Sequence, residues 1–432
     1  MSILSSMYAA VGGLGAHGNA MDVVSDNIAN VNTVGFRAGR GRFEDVLGST
    51  IAGATATGVA GQGSRLAGVD QLFTQGALLG TGVSTDLAIQ GDGFFIVEGN
   101  MRGVDGSFYT RNGQFHLDAN GQLVNPQGLI VQGYQVDNRG NLINRLDDIV
   151  VPPNSTVPPR ATTAATIGLN LDAAAVTPAA FDPLNAGTTS NFSSSITVYD
   201  SLGAAHTVDV FFSQTSPGTW EWHALAEGGE LSGGVPGTPT EIASGTLTFT
   251  TDGALDTETV NASSADFLGA TPGQAINFDF GDSITTDGGT GLAGSTAYAA
   301  PSSVSALTQD GYSAGELAGI QVSEAGEVTG IFANGQRRLL GQVALARFRN
   351  NEGLVRAGSS LFVSTEDSGQ ALVGAANSGG RGSIASGSLE GSNVDLAQEF
   401  VNMIAYQRGF QATSRTVSTA DEMLQELVAL KR

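Results

Sequence analysis

The two ends of the chain carry apolar residues at helical spacing. Near the N-terminus they recur every three or four positions, as expected of a helix that packs against other helices. The C-terminal pattern begins where Ser392 and Asp395 match a capping box, and it continues for about 40 residues, longer than most globular helices. The apolar positions of the two predicted helices are Met7, Val11, Leu14, Met21 and Ile28, and Leu396, Phe400, Met403, Phe410, Val417, Leu424 and Leu427.

The chain between these ends has the alternation of strands and is rich in turn residues. In LAIQGDGFFIV two apolar runs flank Asp92 and Gly93, which predicts a hairpin. LDANGQL from Leu117, VDNRGNL from Val136 and VSEAGEV from Val322 form a weak repeat that predicts hairpin turns. The predicted fold class is mainly β with helical termini: a nested multidomain architecture of paired terminal helices and two β-rich domains, the outer one inserted in the inner one.

Charge sets one part of the chain apart. The 432 residues carry a formal net charge of -22, and residues 161–303 contain 15 Asp and Glu but no Lys or Arg. Prolines mark a boundary just before this stretch, which is therefore predicted to be a separate inserted module. Such a charge opposes nucleic acid as a partner, because phosphate binding needs clustered Lys and Arg. The longest apolar runs are also too short for membrane insertion.

No motif in the chain indicates catalysis. The absence of cysteine excludes disulfides, thiolate catalysis and cysteine-bound metals. Two G-x-G-x-x-G matches, from Gly13 and Gly289, lack the strand and helix that a dinucleotide site requires. DANG and DNRG resemble parts of a calcium loop, but both lack the later acidic ligand, so ordinary turns are preferred. We predict no enzyme activity, no cofactor and no metal.

Glycine in the first helix bears on how the ends are used. Gly12, Gly13, Gly15 and Gly18 would each cost about 1 kcal/mol relative to alanine in a helix. The two terminal helices could pair within one chain, or they could cover each other between subunits. The cost is too high for an exposed lone helix and is acceptable where small residues permit close packing, which favours an oligomer.

The segment SDNIANVNTVGF, from Ser25, is unusually rich in asparagine, with Asn27, Asn30 and Asn32 close together. Asparagine competes for backbone hydrogen bonds and so commonly ends helices. The alternative is that these amides bind a particular partner. Composition alone leaves both possibilities open.

Several long motifs resemble the bacterial flagellar rod and hook axial proteins. They are SSMYAAVGGLGAHGNAMDVVSDNIANVNTVGFR, TQGALLGTGVSTDLAIQGDGFFIV, FYTRNGQFHLDANGQLVNPQGLIVQGY, VYDSLGAAHTVDVFF and LEGSNVDLAQEFVNMIAYQRGFQATSRTVSTADEMLQELVAL. They occur in family order and cover both ends and most of the flanking β regions. Asp26 stands where many members have asparagine and Arg37 where lysine is common, and the interior of the acidic module matches less well. The length and the inserted module are similar to those of hook rather than rod subunits; a distal rod protein is the alternative.

The resemblance implies that the terminal helices of many subunits form the inner wall of a hollow, curved tube. The tube would act as a flexible universal joint that passes torque from rod to filament. The apolar helix positions given above would be assembly residues. The asparagines would end the helix and bond neighbouring backbones, and the residues after them would set the exit turn and its apolar anchor; together these are Asn27, Asn30, Asn32, Thr33, Gly35 and Phe36.

We expect four parts. The helical core would use residues 1–35 and 393–432, and a connecting segment 36–70 and 366–392. An inner β domain would use residues 71–160 and 304–365, and the outer acidic β domain 161–303. The implied partners are the chain itself as a helical homopolymer, the rod, hook cap and hook-filament junction proteins, and the flagellar export apparatus. The implied location is the extracellular hook of the basal body.

Residues 1–30 contain no Lys or Arg, and no long apolar core precedes a cleavage site, so export without a cleaved signal peptide is expected. A more remote alternative is a secreted β-rich adhesin or glycan-active enzyme. Its best candidates for sugar contacts are Trp220 and Trp222, although their placement on one strand predicts that one of them belongs to the core.

Overall fold

The computed structural model describes residues 3–47, 61–137, 139–152 and 155–429. The chain divides into two compact units. The first unit comprises Met1–Pro153, Ala318–Ile331 and Arg337–Arg432, and the second comprises Asn154–Leu317 and Phe332–Gln336. Parts of three expected domains lie outside the described residues: 48–60 of the connecting segment, 1, 2 and 430–432 of the helical core, and 138, 153 and 154 of the inner β domain.

Two helices and 27 strands account for most of the described residues. The helices are α1 (Ile3–Ala29) and α2 (Leu396–Ala429). The strands, in chain order, are β1 (Gly39–Leu47), β2 (Gly61–Gln71), β3 (Leu78–Gly80), β4 (Leu87–Gln90), β5 (Phe94–Met101), β6 (Val104–Thr110), β7 (His116–Leu117), β8 (Leu123–Val124), β9 (Ile130–Val136), β10 (Leu142–Asp148), β11 (Thr156–Val157), β12 (Ala164–Asn170), β13 (Phe192–Tyr199), β14 (Ala205–Ser216), β15 (Thr219–Glu227), β16 (Pro239–Phe249), β17 (Leu255–Ser263), β18 (Asn277–Asp279), β19 (Ser303–Gln309), β20 (Gly315–Val322), β21 (Glu327–Phe332), β22 (Arg337–Arg347), β23 (Val355–Gly358), β24 (Leu361–Val363), β25 (Leu372–Ala375), β26 (Ser383–Ser386) and β27 (Ser388–Glu390). The predicted fold class, mainly β with helical termini, is confirmed.

In the first unit, α1 packs along α2 and against the antiparallel hairpin β1–β2. The buried face of α1 consists mostly of small residues: Ala10, Gly13, Ala16, Ala20 and Val24. A Cβ added at Gly13 would stand 3.1 Å from Cγ2 of Thr413 on α2, so the absence of a side chain lets the two helices approach closely.

The predicted apolar seam of α1 is therefore not the face that packs within the chain. Val11 is exposed, and Met7, Leu14, Met21 and Ile28 are only partly buried. The helices come closest where side chains are smallest, and this turns the larger residues outward. Their predicted role between subunits stays a prediction.

The β part of the first unit is built on a central run of strands, β9-β5-β6-β24-β23, and β22 pairs with β9, β5 and β25. Its core includes Phe94, Ile96, Tyr109, Phe348 and Phe362. The three strand pairs β4–β26, β3–β27 and β1–β2 lie along the chain between this sheet and the two helices.

The predicted hairpin around Asp92 is wrong. Strand β4 pairs with β26, and β5 pairs with β6, β9 and β22 instead of β4. Both apolar runs are buried, and each is completed by strands from other parts of the chain, which overrides the local turn preference.

The repeated turns are confirmed. Oδ1 of Asp118 accepts the backbone N–H groups of Asn120 at 2.9 Å and Gln122 at 2.7 Å. Oδ1 of Asp137 accepts those of Arg139 and Asn141 in the same way. These carboxylates thus stabilise tight turns.

The second unit pairs a five-stranded antiparallel sheet, β13-β14-β15-β16-β17, with the three-stranded sheet β18-β12-β19. Their core holds Trp220, Trp222, Phe212, Phe278 and Phe280. Both tryptophans are 0% exposed, because residues two apart on a strand share a face. The sequence predicted that one of the two tryptophans belongs to the core, whereas both do, and neither ring is open to stack on a sugar.

Candidate assembly site

The last turn of α1 is tied to the first strand by Asn27, which is 1% exposed. Its Nδ2 donates to the carbonyl oxygen of Gly39 at 2.8 Å, and the Gly39 N–H donates to its Oδ1 at 2.8 Å. Nδ2 also donates to Oε1 of Glu399 on α2, at 3.2 Å. One amide therefore joins α1, β1 and α2, and it does so within a single chain.

The other two asparagines behave differently. Nδ2 of Asn30 donates to the backbone oxygen of Asp26 at 2.9 Å, and its Oδ1 accepts from the Thr33 hydroxyl at 3.0 Å. Asn30 and Thr33 thus close the end of α1, the local role of asparagine. The side chain of Asn32 is exposed. A role of these amides towards a neighbouring subunit stays a prediction, and Asn32 is the one of the three best placed for it.

The chain leaves α1 through a turn that requires glycine at position 35. Gly35 has a φ of +69°, and a Cβ there would lie 2.5 Å from the backbone nitrogen of Asn112. Phe36 is buried beside it, with the guanidinium carbon of Arg356 at 5.0 Å from the ring centroid. Arg356 also pairs with Asp26 at 3.2 Å. Gly35 and Phe36 therefore fix the direction in which the chain leaves α1 within the subunit.

A buried ionic cluster, which we call the Glu390 node, lies next to this turn. The Glu390 side chain is 0% exposed and pairs with Nη2 of Arg37 at 2.7 Å and with Nη1 of Arg111 at 3.1 Å. Its Oε1 also accepts the backbone N–H of Gly76 at 2.9 Å. Burial lowers the pKa of Arg111, and the charge of Glu390 opposes that fall. Two guanidinium groups thus share one carboxylate out of contact with solvent.

No pattern in the sequence indicated the Glu390 node. Arg37, Arg111 and Glu390 each stand within a motif that carries the family resemblance, but no spacing connects them. Arg37 and Glu390 are 353 positions apart. Only the observation that charged residues occur in otherwise apolar or turn-forming motifs could have drawn attention to them.

Asn393 completes the junction between the helices and the β part. Its Oδ1 accepts the N–H of Ala38 at 2.7 Å, and its Nδ2 donates to the carbonyl oxygen of Leu72 at 2.7 Å. Two residues later, Oδ1 of Asp395 accepts the N–H groups of Ala397 and Gln398 and so caps α2. The predicted capping box, with Ser392 as the cap, is wrong, because the helix begins later and Asp395 itself is the N-cap.

The paired helices leave large apolar side chains uncovered. On α1, Tyr8 is 66% exposed and Val11 51%; on α2, Phe400 is 51% exposed, Val401 60% and Ile404 51%. Among the other predicted positions of α2, Leu396 and Phe410 are exposed, and Met403, Val417 and Leu424 are partly buried. The side chain of Leu427 lies outside the described residues. Such a concentration of exposed apolar residues is typical of an interaction surface.

Four family models match the chain. They are "Flagella basal body rod protein" over residues 7–37, "Flagellar hook protein FlgE/F/G D1 domain" over 88–169, "Flagellar basal body protein FlaE D2 domain" over 170–312 and "Flagellar basal body rod FlgEFG protein C-terminal" over 385–430. The flagellar hook protein FlgE of Salmonella typhimurium is 36% identical, and the alignment covers 99% of this chain and 100% of that protein. The chain belongs to the flagellar hook protein family.

A further relative agrees with this assignment. The hook protein FlgE of Escherichia coli is 36% identical over 98% of this chain and 99% of its own. A crystal structure of the Helicobacter pylori flagellar hook protein FlgE2 aligns with 71% of this chain and 98% of its own at 14% identity, with a TM-score of 0.49, a similarity too low to support an argument. None of the matching models describes a catalytic domain. No helix of the described part of the chain is both long and apolar enough to cross a membrane.

Proposed function

We propose that this chain is the structural subunit of a bacterial flagellar hook and assembles through α1 and α2 into a curved, hollow tube. The observation that carries the proposal is the row of exposed apolar residues on the paired helices, which the described part of one chain leaves uncovered. The tube would act as a flexible universal joint between rod and filament.

The junction at the base of the helices would serve this function mechanically. Asn27, the Glu390 node and Asn393 join the helices to the β part through hydrogen bonds that are largely shielded from water. Torque applied to the helices would then pass to the β part through a rigid connection. The four domains expected from the sequence remain our proposal for how the chain is divided along this path.

The acidic module would form the outer surface. Residues 161–303 carry 15 acidic side chains and no Lys or Arg, so copies that are brought close together repel each other and stay hydrated. Neighbouring modules could then slide as the tube bends. We further propose that the rod, hook cap and hook-filament junction proteins bind the ends of the tube, and that the export apparatus delivers the subunit to the cell exterior without a cleaved signal peptide.

Electron microscopy of the purified, polymerised protein tests the proposal. Curved tubes with a central channel are expected. A folded protein that stays monomeric at high concentration in all salt conditions, or one that forms only amorphous aggregates, would contradict it.

A distal rod protein is the second candidate. The family models at residues 7–37 and 385–430 are named for the basal body rod, so the terminal segments alone fit either assembly. Straight rather than curved polymers in the same micrographs would favour the rod.

A further inference from the structure

A cleft of about 350 Å³ lies between α1, α2 and the start of β1. Val24 of α1 and Gly41 of β1 form part of its wall, and Glu399, Asn402 and Tyr406 of α2 form another part. All these elements belong to the first unit of the chain. The cleft is thus a concave surface at the base of the helix pair, where exposed apolar residues also occur.

Glu399 gives this cleft an unused hydrogen-bond acceptor. Its Oε1 accepts from Asn27, but its Oε2 is shielded from solvent and accepts no hydrogen bond from any described residue. Burial raises the pKa of Glu399, and the amides of Asn27 and Asn402 offset only part of that rise. Asn402 lies near the carboxylate but makes no hydrogen bond of normal geometry with it. A shielded carboxylate oxygen without a donor is unfavourable, and a cation that reached it would remove the cost.

No residue in the described part of the chain supplies that cation. Arg40 lines the cleft, but its guanidinium pairs with Asp70 at 4.0 Å. On α2 the basic residues of the described part are Arg408 and Arg415, which are exposed and form no ion pair with a described residue. Two unpaired cations therefore stand on the same helix as the unpaired carboxylate oxygen.

These cations stand on the opposite side of α2 from Glu399. At 3.6 residues per turn, Val401, Ile404, Arg408 and Arg415 lie within about 60° around the helix, and Glu399 lies about 160° away from Val401. One face of α2 thus offers a donor and the other an acceptor. A contact between two different faces of identical subunits is heterologous, and such contacts build open helical polymers when the rotation does not close.

We propose that the cleft receives a second copy of this chain, whose α2 inserts Arg408 beside Oε2 of Glu399. Charge complementarity supports this occupant, and so does the position of Arg408, which follows the exposed Val401 and Ile404 on the same face. A contact that buries those two apolar side chains would extend to Arg408, which lies about one turn beyond Ile404 on the same face. Arg415, two turns further along, would stay at the rim. The inference rests on the proposed function and names the contact that propagates the polymer.

A double-mutant cycle on the full-length chain tests the pair. Glu399→Gln removes the charge and keeps an oxygen for Asn27, and Arg408→Gln removes the partner. We expect each change to raise the critical concentration for polymerisation roughly tenfold and the double variant to be no worse than either single variant, because the pair acts as a unit. Arg415→Gln, the matched control, should change it by less than about twofold. Independent, multiplicative effects of the two changes would overturn the proposal.

Cross-linking gives a second measurement that reports proximity in the polymer instead of the critical concentration. Since the chain has no cysteine, copies with Glu399→Cys can be mixed with copies with Arg408→Cys, polymerised and treated with a short bismaleimide. A cross-linked mixed dimer is expected, and a mixture with Arg415→Cys should give much less. No mixed dimer in polymers that do form would overturn this contact and leave the proposed function standing, whereas failure of the wild-type chain to polymerise would contradict the proposed function itself.

Discussion

The Glu390 node allows a quantitative prediction about stability. Glu390→Gln keeps the size of the side chain and removes the carboxylate that pairs with both Arg37 and Arg111. Two buried guanidinium groups would then share a neutral amide, and the N–H of Gly76 would compete with them for one remaining oxygen. Breaking a buried ion pair by removing one partner costs about 3–5 kcal/mol. We expect the free energy of unfolding of the first unit to fall by about that amount.

The position of the tryptophans makes this measurable. Both Trp220 and Trp222 lie in the second unit, so tryptophan fluorescence reports that unit alone, and far-ultraviolet circular dichroism reports both units. In guanidinium chloride, Glu390→Gln should move the dichroism transition to lower denaturant and leave the fluorescence transition in place. The control is Glu44→Gln, because Glu44 forms an exposed pair with Arg65 that is worth less than about 1 kcal/mol.

A loss below about 1 kcal/mol for Glu390→Gln would refute the reasoning, since it would mean that water or another anion compensates the two arginines. Joint replacement of Arg37 and Arg111 by methionine and Glu390 by leucine separates charge from packing. That triple variant should be close to the wild type in stability, because apolar residues often replace a buried ionic group at no cost.

Three further predictions follow from other residues. Leu424→Asp should leave the unfolding of the β core unchanged and abolish polymerisation in a sedimentation assay, whereas the control Ser418→Asp, at an exposed position, should leave both unchanged. A lower melting temperature of the Leu424→Asp monomer would show that Leu424 serves the subunit itself. Burial raises the pKa of Glu258 to about 7, and the charges of Asp279 and Asp287 add to the rise. Between pH 4.5 and 7 the folded state therefore binds more protons than the unfolded state and loses stability as the pH rises. Glu258→Gln should raise the melting temperature, followed by tryptophan fluorescence, at pH 8 and not at pH 4. Ser359 has a φ of +54° in the turn between β23 and β24, so Ser359→Gly should stabilise the first unit by about 1 kcal/mol in chemical denaturation. An unchanged midpoint would show that the turn is not strained.

The parts of the fold that depend on local spacing could be predicted from the sequence. The two helices follow from the periodicity of their apolar residues, and the turns at Asp118 and Asp137 follow from the ability of aspartate to accept nearby N–H groups. Within the subunit, Ala16 and Ala20 are buried while the larger Leu14 and Met21, which hydrophobicity favours, are only partly buried; their role between subunits stays a prediction.

The parts that depend on distant residues could not be predicted in this way. Asn27 was identified as a special residue, yet its partners Gly39 and Glu399 could not be found from the pattern around it. The strand pairing of β4 with β26 and the Glu390 node share that property. In each case the deciding contact joins segments that only the folded chain brings together. At Asp92 such a contact, the pairing of β4 with β26, overrides the strong local preference for a hairpin turn.

The long separation between these partners also determines when the structure can be completed. Asn27 donates a hydrogen bond to Glu399, which is 372 positions later in the chain, and Arg37 pairs with Glu390, which is 353 positions later. A chain that emerges with its N-terminus first therefore holds its first helix without these partners until nearly the whole chain has followed, and closing such a long loop is slow as well as entropically costly. Residues 390–399 complete the contacts of the first helix and of Arg37, so a subunit truncated before them lacks these parts of the junction. The junction therefore forms in full only in a chain that extends through these late residues.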